Sequence, residues 1–254
     1  MLALGARDCK FVAVGGRAGD GYPDRRGPPT PRETTVAEMH DATEEYLETI
    51  LEIEEEGITP MRARLVERLG LSAPAVSETV SRLVDQGYAE LLDDRSLRLT
   101  EKGRTLAVSM VRKHRLAERL LTDVIGLEWE KVHREADRWE HAISADVEEK
   151  LVALLGDPAT CPHGNPIPGS KRAVDTSGTV ALAKAAPGPI TVSRISEKLE
   201  LDDDALALLA RAQLIPGSSA VVTRSEAGGI AVKSDAGEQV VPLALAELMF
   251  VTPG

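Results

Sequence analysis

The sequence predicts a mostly α-helical protein with a small β domain at its C-terminal end. Three observations carry this. From Asp41 to Leu155 apolar residues recur at helical spacing, with breaks at Gly57, Gly70, Gly87 and Gly126. Residues 157–178 hold Pro158, Pro162, Gly164, Pro166, Pro168, Gly169 and Gly178, the composition of a linker. From Thr179 onward, short β-type runs alternate with Gly and Asp turns, a pattern that suggests a small barrel.

The composition narrows the function. The chain has 254 residues and a net charge of −11, which argues against a protein that coats nucleic acid without selectivity. That charge is unevenly placed. Asp41 to Glu56 holds eight acids and no base, whereas Thr59 to Arg115 holds eleven Lys/Arg against seven Asp/Glu, a net of +4. A locally basic module in an acidic protein is compatible with site-specific DNA binding. Cys9 and Cys161 stand far apart in unrelated contexts and form no disulfide framework. No apolar run reaches the length of a membrane span, and the first residues lack the pattern of a signal peptide. The expectation is a cytoplasmic protein with no membrane partner.

In chain order, residues 1–35 are rich in Gly, Pro and Arg and read as a disordered extension, with translation from near Val36 or Met39 as an alternative start. Asp41 to Glu56 reads as a helix with Tyr46, Leu47, Ile50, Leu51 and Ile53 inside. Glu45 and Glu48 share its surface; most of its other acids are expected to be solvated. A helix over Arg62–Leu69 and another over Pro74–Gln86, opened by Ser72 and an early Pro, make a helix-turn-helix. Ala75, Val76, Val80, Leu83 and Val84 supply its packing face. Ser72, Ser77, Glu78, Ser81 and Arg82 lie opposite, small polar groups suited to phosphate and base edges. Tyr88–Leu92 and Leu97–Thr100, around the polar tip Asp93–Ser96, form a hairpin wing. A long helix then reaches about Ile125, with His114 and Glu118 four apart on one face.

The next stretch runs without Gly or Pro and reads as one helix from Glu128 to Leu155. At roughly 100° per residue, His133, Asp137, Glu140 and His141 share a sector of about 100°. This nitrogen-and-oxygen set suits a divalent ion such as Mn²⁺ or Fe²⁺. Taken alone, the stripe fits equally a solvated face paired with Arg134, Arg138 and Lys150. Two adjacent helices with His/carboxylate pairs favour metal: His114, Glu118 and His133 around one ion, Asp137, Glu140 and His141 around another. Leu120, Leu121, Ile125, Val147 and Leu151 supply apolar surface for a dimer. Beyond the linker, strand-like runs at 179–182, 189–192, 219–222, 229–232 and 239–241 surround one helix, Asp202–Ala212.

From Val36 to Gly169 the chain resembles the diphtheria-toxin-repressor family of metal-activated transcriptional repressors. The resemblance rests on Ala42-Thr43-Glu44-Glu45-Tyr46-Leu47, Arg62-Ala63-Arg64, Asp94-Arg95-Ser96-Leu97, the run Arg112 to Leu121, Trp139-Glu140-His141, and Gly164-Asn165-Pro166-Ile167-Pro168-Gly169. It implies a winged helix-turn-helix domain at 36–108, a helical dimerisation and metal-binding domain at 109–156 and, more weakly, an SH3-like barrel at 179–254. It implies an ancillary metal site of His114, Glu118 and His133, joined by Glu197 and Glu200 from the SH3-like domain. The implied primary site holds Glu140, His141, and positions 137 and 45. Iron-responsive members carry Cys and Met at the latter two; this chain has Asp137 and Glu45. The manganese-responsive branch has carboxylates there and a further one at Glu48. Hard oxygen ligands point to Mn(II), with Fe(II) as the alternative and Zn(II), Co(II) or Ni(II) able to substitute in vitro. A homodimer on double-stranded palindromic operator DNA is implied. Its DNA-contact region falls on Arg62, Ser72, Pro74, Ser77 and Arg95, with Glu78 where members often carry Gln.

Two other readings are weighed. A metal-dependent hydrolase would need a His-Glu-x-x-His or nucleophile motif, which is missing, so no enzyme is expected. A metal-independent winged-helix regulator would treat the His/carboxylate faces as structural.

Overall fold

The first helix, α1 (Val36–Glu55), buries Tyr46, Leu47, Ile50, Leu51 and Ile53 along one face. The computed structural model describes residues 36–172, 174–175, 177–226 and 228–254; the expectations for residues 1–35 lie outside them. Against α1 pack α2 (Arg62–Leu69) and α3 (Ala73–Asp85). Gly70 closes α2 in the left-handed region at φ 65°. Ser72 caps α3 by accepting from the Ala75 amide at 3.4 Å, with Pro74 in the first turn. Val76, Val80 and Leu83 are fully buried, whereas Ala75, expected inside, is exposed.

The wing is a two-stranded antiparallel hairpin, β1 (Ala89–Leu91) with β2 (Leu97–Leu99). Asp94 sets its tip by accepting from both the backbone N–H (2.9 Å) and the hydroxyl (2.6 Å) of Ser96. Thr100 caps α4 (Glu101–Leu120), and its hydroxyl ties the helix to the Gly87 carbonyl at 2.8 Å. The helix lies so close to the wing that a Cβ at Gly103 would sit 1.9 Å from the Tyr88 carbonyl oxygen. Helix α4 contributes Ala107 and Val111 to the core under α2 and α3, and Leu116 and Ala117 to the next core.

After a π turn (Leu121–Ile125) and left-handed Gly126, the stretch read as one helix is broken. It consists of a 3₁₀ turn (Trp129–Lys131), α5 (Val132–Trp139), a second 3₁₀ turn (Glu140–Ala142) and α6 (Ala145–Leu155). Ile143 is extended, and Ser144 starts α6 by accepting from Val147 N at 3.3 Å. An N-cap followed by Asp146 in the first turn restarts a helix without Gly or Pro, so the absence of breakers misled the sequence reading. Leu121 and Leu151, expected at a dimer surface, are buried; the exposed apolar side chains here are Val124, Ile125, Val147 and Leu154.

The segment read as a linker is closely packed where it passes the helices: Cys161, His163, Asn165 and Ile167 are buried. Gly164, at φ +89°, crosses β4 (Gly188–Ile195) so closely that a Cβ would lie 2.2 Å from Ser193 O. The C-terminal part is a six-stranded antiparallel sheet in the order β3-β8-β4-β5-β6-β7. It comprises β3 (Val180–Ala181), β4, β5 (Ser219–Glu226), β6 (Gly229–Ser234), β7 (Gly237–Pro242) and β8 (Met249–Pro253). Strand β8, which the sequence reading missed, lies second from the edge and pairs with both β3 and β4. The sheet encloses one core, built from Ile190, Val192, Ile195, Val222, Val232 and Val251. Two short helices, α7 (Glu197–Glu200) and α8 (Asp203–Arg211), follow β4, and α9 (Leu243–Ala246) precedes β8. Among the described residues no helix is long and apolar enough to cross a membrane.

Gly103→Ala must push α4 off the wing. It should cost on the order of 1–3 kcal/mol, seen as a lower urea midpoint with an unchanged slope; an unchanged midpoint would show that the contact is slack.

Candidate metal centre

Helices α1, α4, α5 and the start of α7 converge on an open cleft of ≈ 390 Å³. Glu45, Glu48, His114, Asp137, Glu140 and His141 line it. Helical spacing brings Glu45, Glu48 and Glu52 of α1 toward Asp137 and Glu140 of α5 and its 3₁₀ extension. Glu48, His114 and Glu140 offer ligand atoms within 4.8 Å of one another, all buried. Glu45 and Asp137 stand at the more open mouth. The turn after α5 swings His141 outward, its Nδ1 3.0 Å from Glu44 Oε2 and its Nε2 3.4 Å from Glu140 Oε1. Glu44 was not among the expected site residues.

A second cluster lies immediately behind the first. His114 Nε2 sits 3.0 Å from His133 Nδ1 and 3.5 Å from Glu118 Oε1. His133 Nδ1 is 3.5 Å from Glu118 Oε1, 3.2 Å from Glu200 Oε2 and 4.0 Å from Glu197 Oε2. The short helix α7 (Glu197–Glu200), directly after β4, therefore brings both C-terminal carboxylates to the helical bundle. His114 joins the two clusters: its Nδ1 contacts Glu140 Oε2 at 2.7 Å while its Nε2 faces the second group.

Electrostatics match the geometry. Burial, then repulsion from Glu140 and Glu52, holds the Glu48 carboxyl well above its usual range. Burial and the Glu197 charge push Glu52 up to about 8. Burial first, then Asp137 and Glu140, raises Glu45. His114 and His133 are held well above the ordinary imidazole value: burial opposes the charge, but hydrogen bonds and attraction from Glu118, Glu140 and Glu200 outweigh it. Glu118 is pulled well below the carboxylate range, because the surrounding imidazoles overcome its desolvation.

Buried acceptors are left over. Glu48 Oε1, Glu118 Oε2 and Glu197 Oε2 accept no hydrogen bond. Unpaired buried carboxylate oxygens are costly, and the imidazole nitrogens of His114 and His133, 3.0 Å apart, can share either a proton or a metal ion. The nitrogen-and-oxygen donors therefore fit a divalent metal.

Most of the α1 acids are engaged rather than solvated, against the sequence expectation. Glu54 pairs with Arg104, Glu56 with buried Arg68, and Glu55 with Arg115, each at 2.6–2.7 Å. Buried Arg115 also donates to Glu197 Oε1 at 2.8 Å and to the Pro166 carbonyl at 2.6 Å, tying α1, α4, α7 and the Pro/Gly segment together. Asn165 Nδ2 donates to Glu200 Oε1 at 2.8 Å. His163, Arg115 and Asn165 were missed because they carry no period. The imidazole in Cys161-Pro162-His163-Gly164 was the one visible signal, and it lay in a stretch read as linker.

The residues expected to meet DNA lie apart from the cleft. Ser72, Pro74, Ser77 and Glu78 are exposed at the start of α3; Arg95 is exposed at the wing tip at φ 67°; Arg62 begins α2.

Comparison with known proteins agrees with this arrangement. Residues 38–97 match the iron dependent repressor N-terminal DNA binding domain, and residues 100–169 match the iron dependent repressor metal binding and dimerisation domain. The iron-dependent repressor IdeR of Mycobacterium tuberculosis is 46% identical over 205 residues, covering 77% of this chain and 89% of its own. The diphtheria toxin repressor of Corynebacterium diphtheriae is 46% identical over 191 residues, 72% of this chain and 84% of its own. A manganese-dependent transcriptional repressor solved with manganese superposes with a TM-score of 0.74 at 32% identity, covering 84% of this chain and all of that one. The chain thus belongs to the iron-dependent repressor (diphtheria-toxin-repressor) family of DNA-binding, metal-dependent transcriptional repressors, and is not an enzyme.

Proposed function

We propose that this repressor responds to Mn(II) and controls metal uptake and homeostasis genes in the cytoplasm, as a homodimer on a palindromic operator. The observation that carries the metal choice is the donor set of the cleft. Glu45, Glu48, Asp137, Glu140 and His141 offer four carboxylates and one imidazole, with Glu52 and His114 beside them and no sulfur. Hard oxygen donors suit Mn²⁺, whereas thiol and thioether donors favour softer ions. Fe(II) is the second reading, favoured by the 46% identity with a repressor named for iron. Zn(II), Co(II) and Ni(II) should bind in vitro as well.

In this proposal residues 36–108 read DNA, 109–156 dimerise and hold metal, 157–178 connect, and 179–254 form the SH3-like domain. Glu45 and Glu48 belong to the helix on which α2 and α3 pack; Asp137, Glu140 and His141 belong to the dimerisation domain. A bound divalent ion supplies the positive charge that lets these carboxylates stay together ionised. Without it, Glu48 and Glu52 must take up protons to stay buried, and where they ionise, repulsion from Glu140 and Glu197 loosens the cleft. The orientation of α1 fixes that of α3, so closing the cleft favours the arrangement in which Ser72, Pro74, Ser77 and Glu78 enter a groove and Arg62 and Arg95 hold phosphates. Glu78 is an acceptor suited to a cytosine amino group. His114, Glu118, His133, Glu197 and Glu200 form the ancillary centre. The exposed Val124, Ile125, Val147 and Leu154 supply an apolar surface for the second copy.

Asp137→Ala should abolish metal-stimulated operator binding while leaving the dimer intact by ultracentrifugation; unchanged activation would reject the cleft as the sensing site. Arg95→Ala should weaken binding to all sequences and lower the salt slope by about one unit, as one lost phosphate contact requires; an unchanged slope would remove Arg95 from the interface.

The protonation states predict a pH dependence with a definite sign. Raised carboxyls (Glu48, Glu52) and raised imidazoles (His114, His133) make the metal-free fold bind more protons than the unfolded chain. Their stabilisation is complete below the unfolded values of 4.5 and 6.5 and is lost as pH rises toward the folded ones, about 8 for Glu52. The lowered Glu118 and Glu197 act the other way only below about pH 5. The Tm in chelator should therefore fall from pH 6 to pH 8, and excess Mn²⁺ should remove the fall by displacing those protons. A metal-free Tm that rises over this range would contradict the assignment.

A further inference from the structure

The exposed stripe of α3 is acidic. At roughly 100° per residue, Pro74, Ser77, Glu78, Ser81 and Asp85 share a sector of about 100°, and all of them are exposed. The stripe holds no Arg, Lys, Asn or Gln, the side chains that pair bidentately with guanine or adenine. We infer that Glu78 sets the base preference of this helix: it selects a cytosine in each operator half-site and excludes guanine and thymine there. This rests on reading α3 as the helix that enters the groove.

Three observations carry the inference. The first is that the Glu78 carboxylate is uncommitted. Arg82 stands one helical turn further on, in the order that favours an ion pair along a helix. The pair does not form, and Arg82 Nε is buried instead. Among the described residues Glu78 has no hydrogen-bond or ion-pair partner. Other acids of the same domain do: Glu56 pairs with Arg68 at 2.7 Å, and Glu90 with Arg98 on the wing at 2.6 Å.

The second is that the groups beside it are engaged or out of reach. The Ser72 hydroxyl caps the helix by accepting from Ala75 N at 3.4 Å, and the Ser81 hydroxyl donates to the Ser77 carbonyl at 2.9 Å. Pro74 offers only an apolar ring. Asp85 ends the helix, about 10 Å further along the axis than Glu78. A recognition helix reads bases with its N-terminal part, and there Glu78 is the one charged side chain on the stripe.

The third is the match of edges in the major groove. A carboxylate only accepts. Cytosine presents the N4 amino donor and no acceptor beside it. Adenine sets the N7 acceptor next to its N6 donor, so it ranks second. Guanine presents N7 and O6, and thymine O4, all acceptors that repel a carboxylate. The same charge opposes the phosphates, so Glu78 weakens binding to every duplex and recovers the loss only where N4 is in reach. Such a residue raises selectivity while lowering affinity, in keeping with a chain whose net charge of −11 disfavours indiscriminate binding.

The test uses the full-length protein with excess Mn²⁺ and, in parallel, excess Co²⁺, so that metal preference does not enter. Each form selects from a pool of random duplexes, and single base-pair variants of the selected duplex are ranked by titration. Wild type should prefer cytosine at one position of each half-site by about tenfold or more over guanine and thymine. Glu78→Gln should move that position to adenine, whose N7 and N6 a carboxamide can pair, and Glu78→Ala should flatten it. Every other position should keep its ranking, and both variants should bind an unselected duplex more tightly than wild type does. If both Glu78 variants keep the wild-type ranking at every position while Ser77→Ala changes it, the inference fails and α3 remains the reading helix. If none of the three changes the ranking, the reading of α3 fails as well.

Discussion

The structure depends on one constraint: Glu48, Glu118, Glu140, Glu197 and Glu200 are all buried in the same small volume. Desolvating a carboxylate costs several kcal/mol unless a cation stands beside it. The fold meets part of this demand itself. Arg115 neutralises Glu197, Asn165 satisfies one oxygen of Glu200, and the imidazoles of His114, His133 and His163, held above their ordinary value by the acids around them, sit between the remaining carboxylates. What is left is a set of protons that a divalent ion can displace. The metal response follows from a core that is incomplete without positive charge.

That constraint also explains why the modules are fastened as they are. Arg115 reaches α1, the Pro/Gly segment and α7 from a single position on α4. His114 links the cleft to the buried cluster through its two ring nitrogens, touching Glu140 on one side and His133 on the other. A change of charge in either cluster therefore acts on the same imidazole. Because α1 carries Glu45, Glu48 and Glu52 of the cleft and the packing face for α2 and α3, such a change bears directly on the helix-turn-helix.

Much of this was legible in the sequence, for identifiable reasons. The helix-turn-helix and wing showed through caps and breakers that act locally: Ser72, Pro74, Gly70, Gly87 and the polar tip around Asp94. His114, Glu118, His133 and Glu140 showed through helical spacing. Elements set by tertiary contact were hidden. Ser144 restarted a helix that no Gly or Pro interrupts. Strand β8 follows an Ala/Leu run and is defined by pairing with β4 across the sheet. His163 lies in a Pro/Gly stretch without period, and only the approach of Gly164 to Ser193 and of Trp129 to Pro162 gives it a direction. The acids of α1 looked solvated because their partners, Arg68, Arg104 and Arg115, are 12 to 60 residues away.

The comparisons and the site chemistry do not point to one metal: the relative 46% identical over 205 residues is named an iron-dependent repressor, a solved structure at 32% identity is a manganese-dependent one, and the cleft of this chain sets carboxylates beside imidazoles with no sulfur. The measurement that decides between them is anaerobic operator binding in buffers that fix the free Mn²⁺ or Fe²⁺ concentration, with chelator alone as the reference. The account predicts no specific binding in chelator and half-maximal binding at lower free Mn²⁺ than free Fe²⁺. Binding that ignores metal would contradict the coupling of buried charge to DNA recognition, and activation by Fe²⁺ at the lower concentration would overturn the argument from ligand hardness.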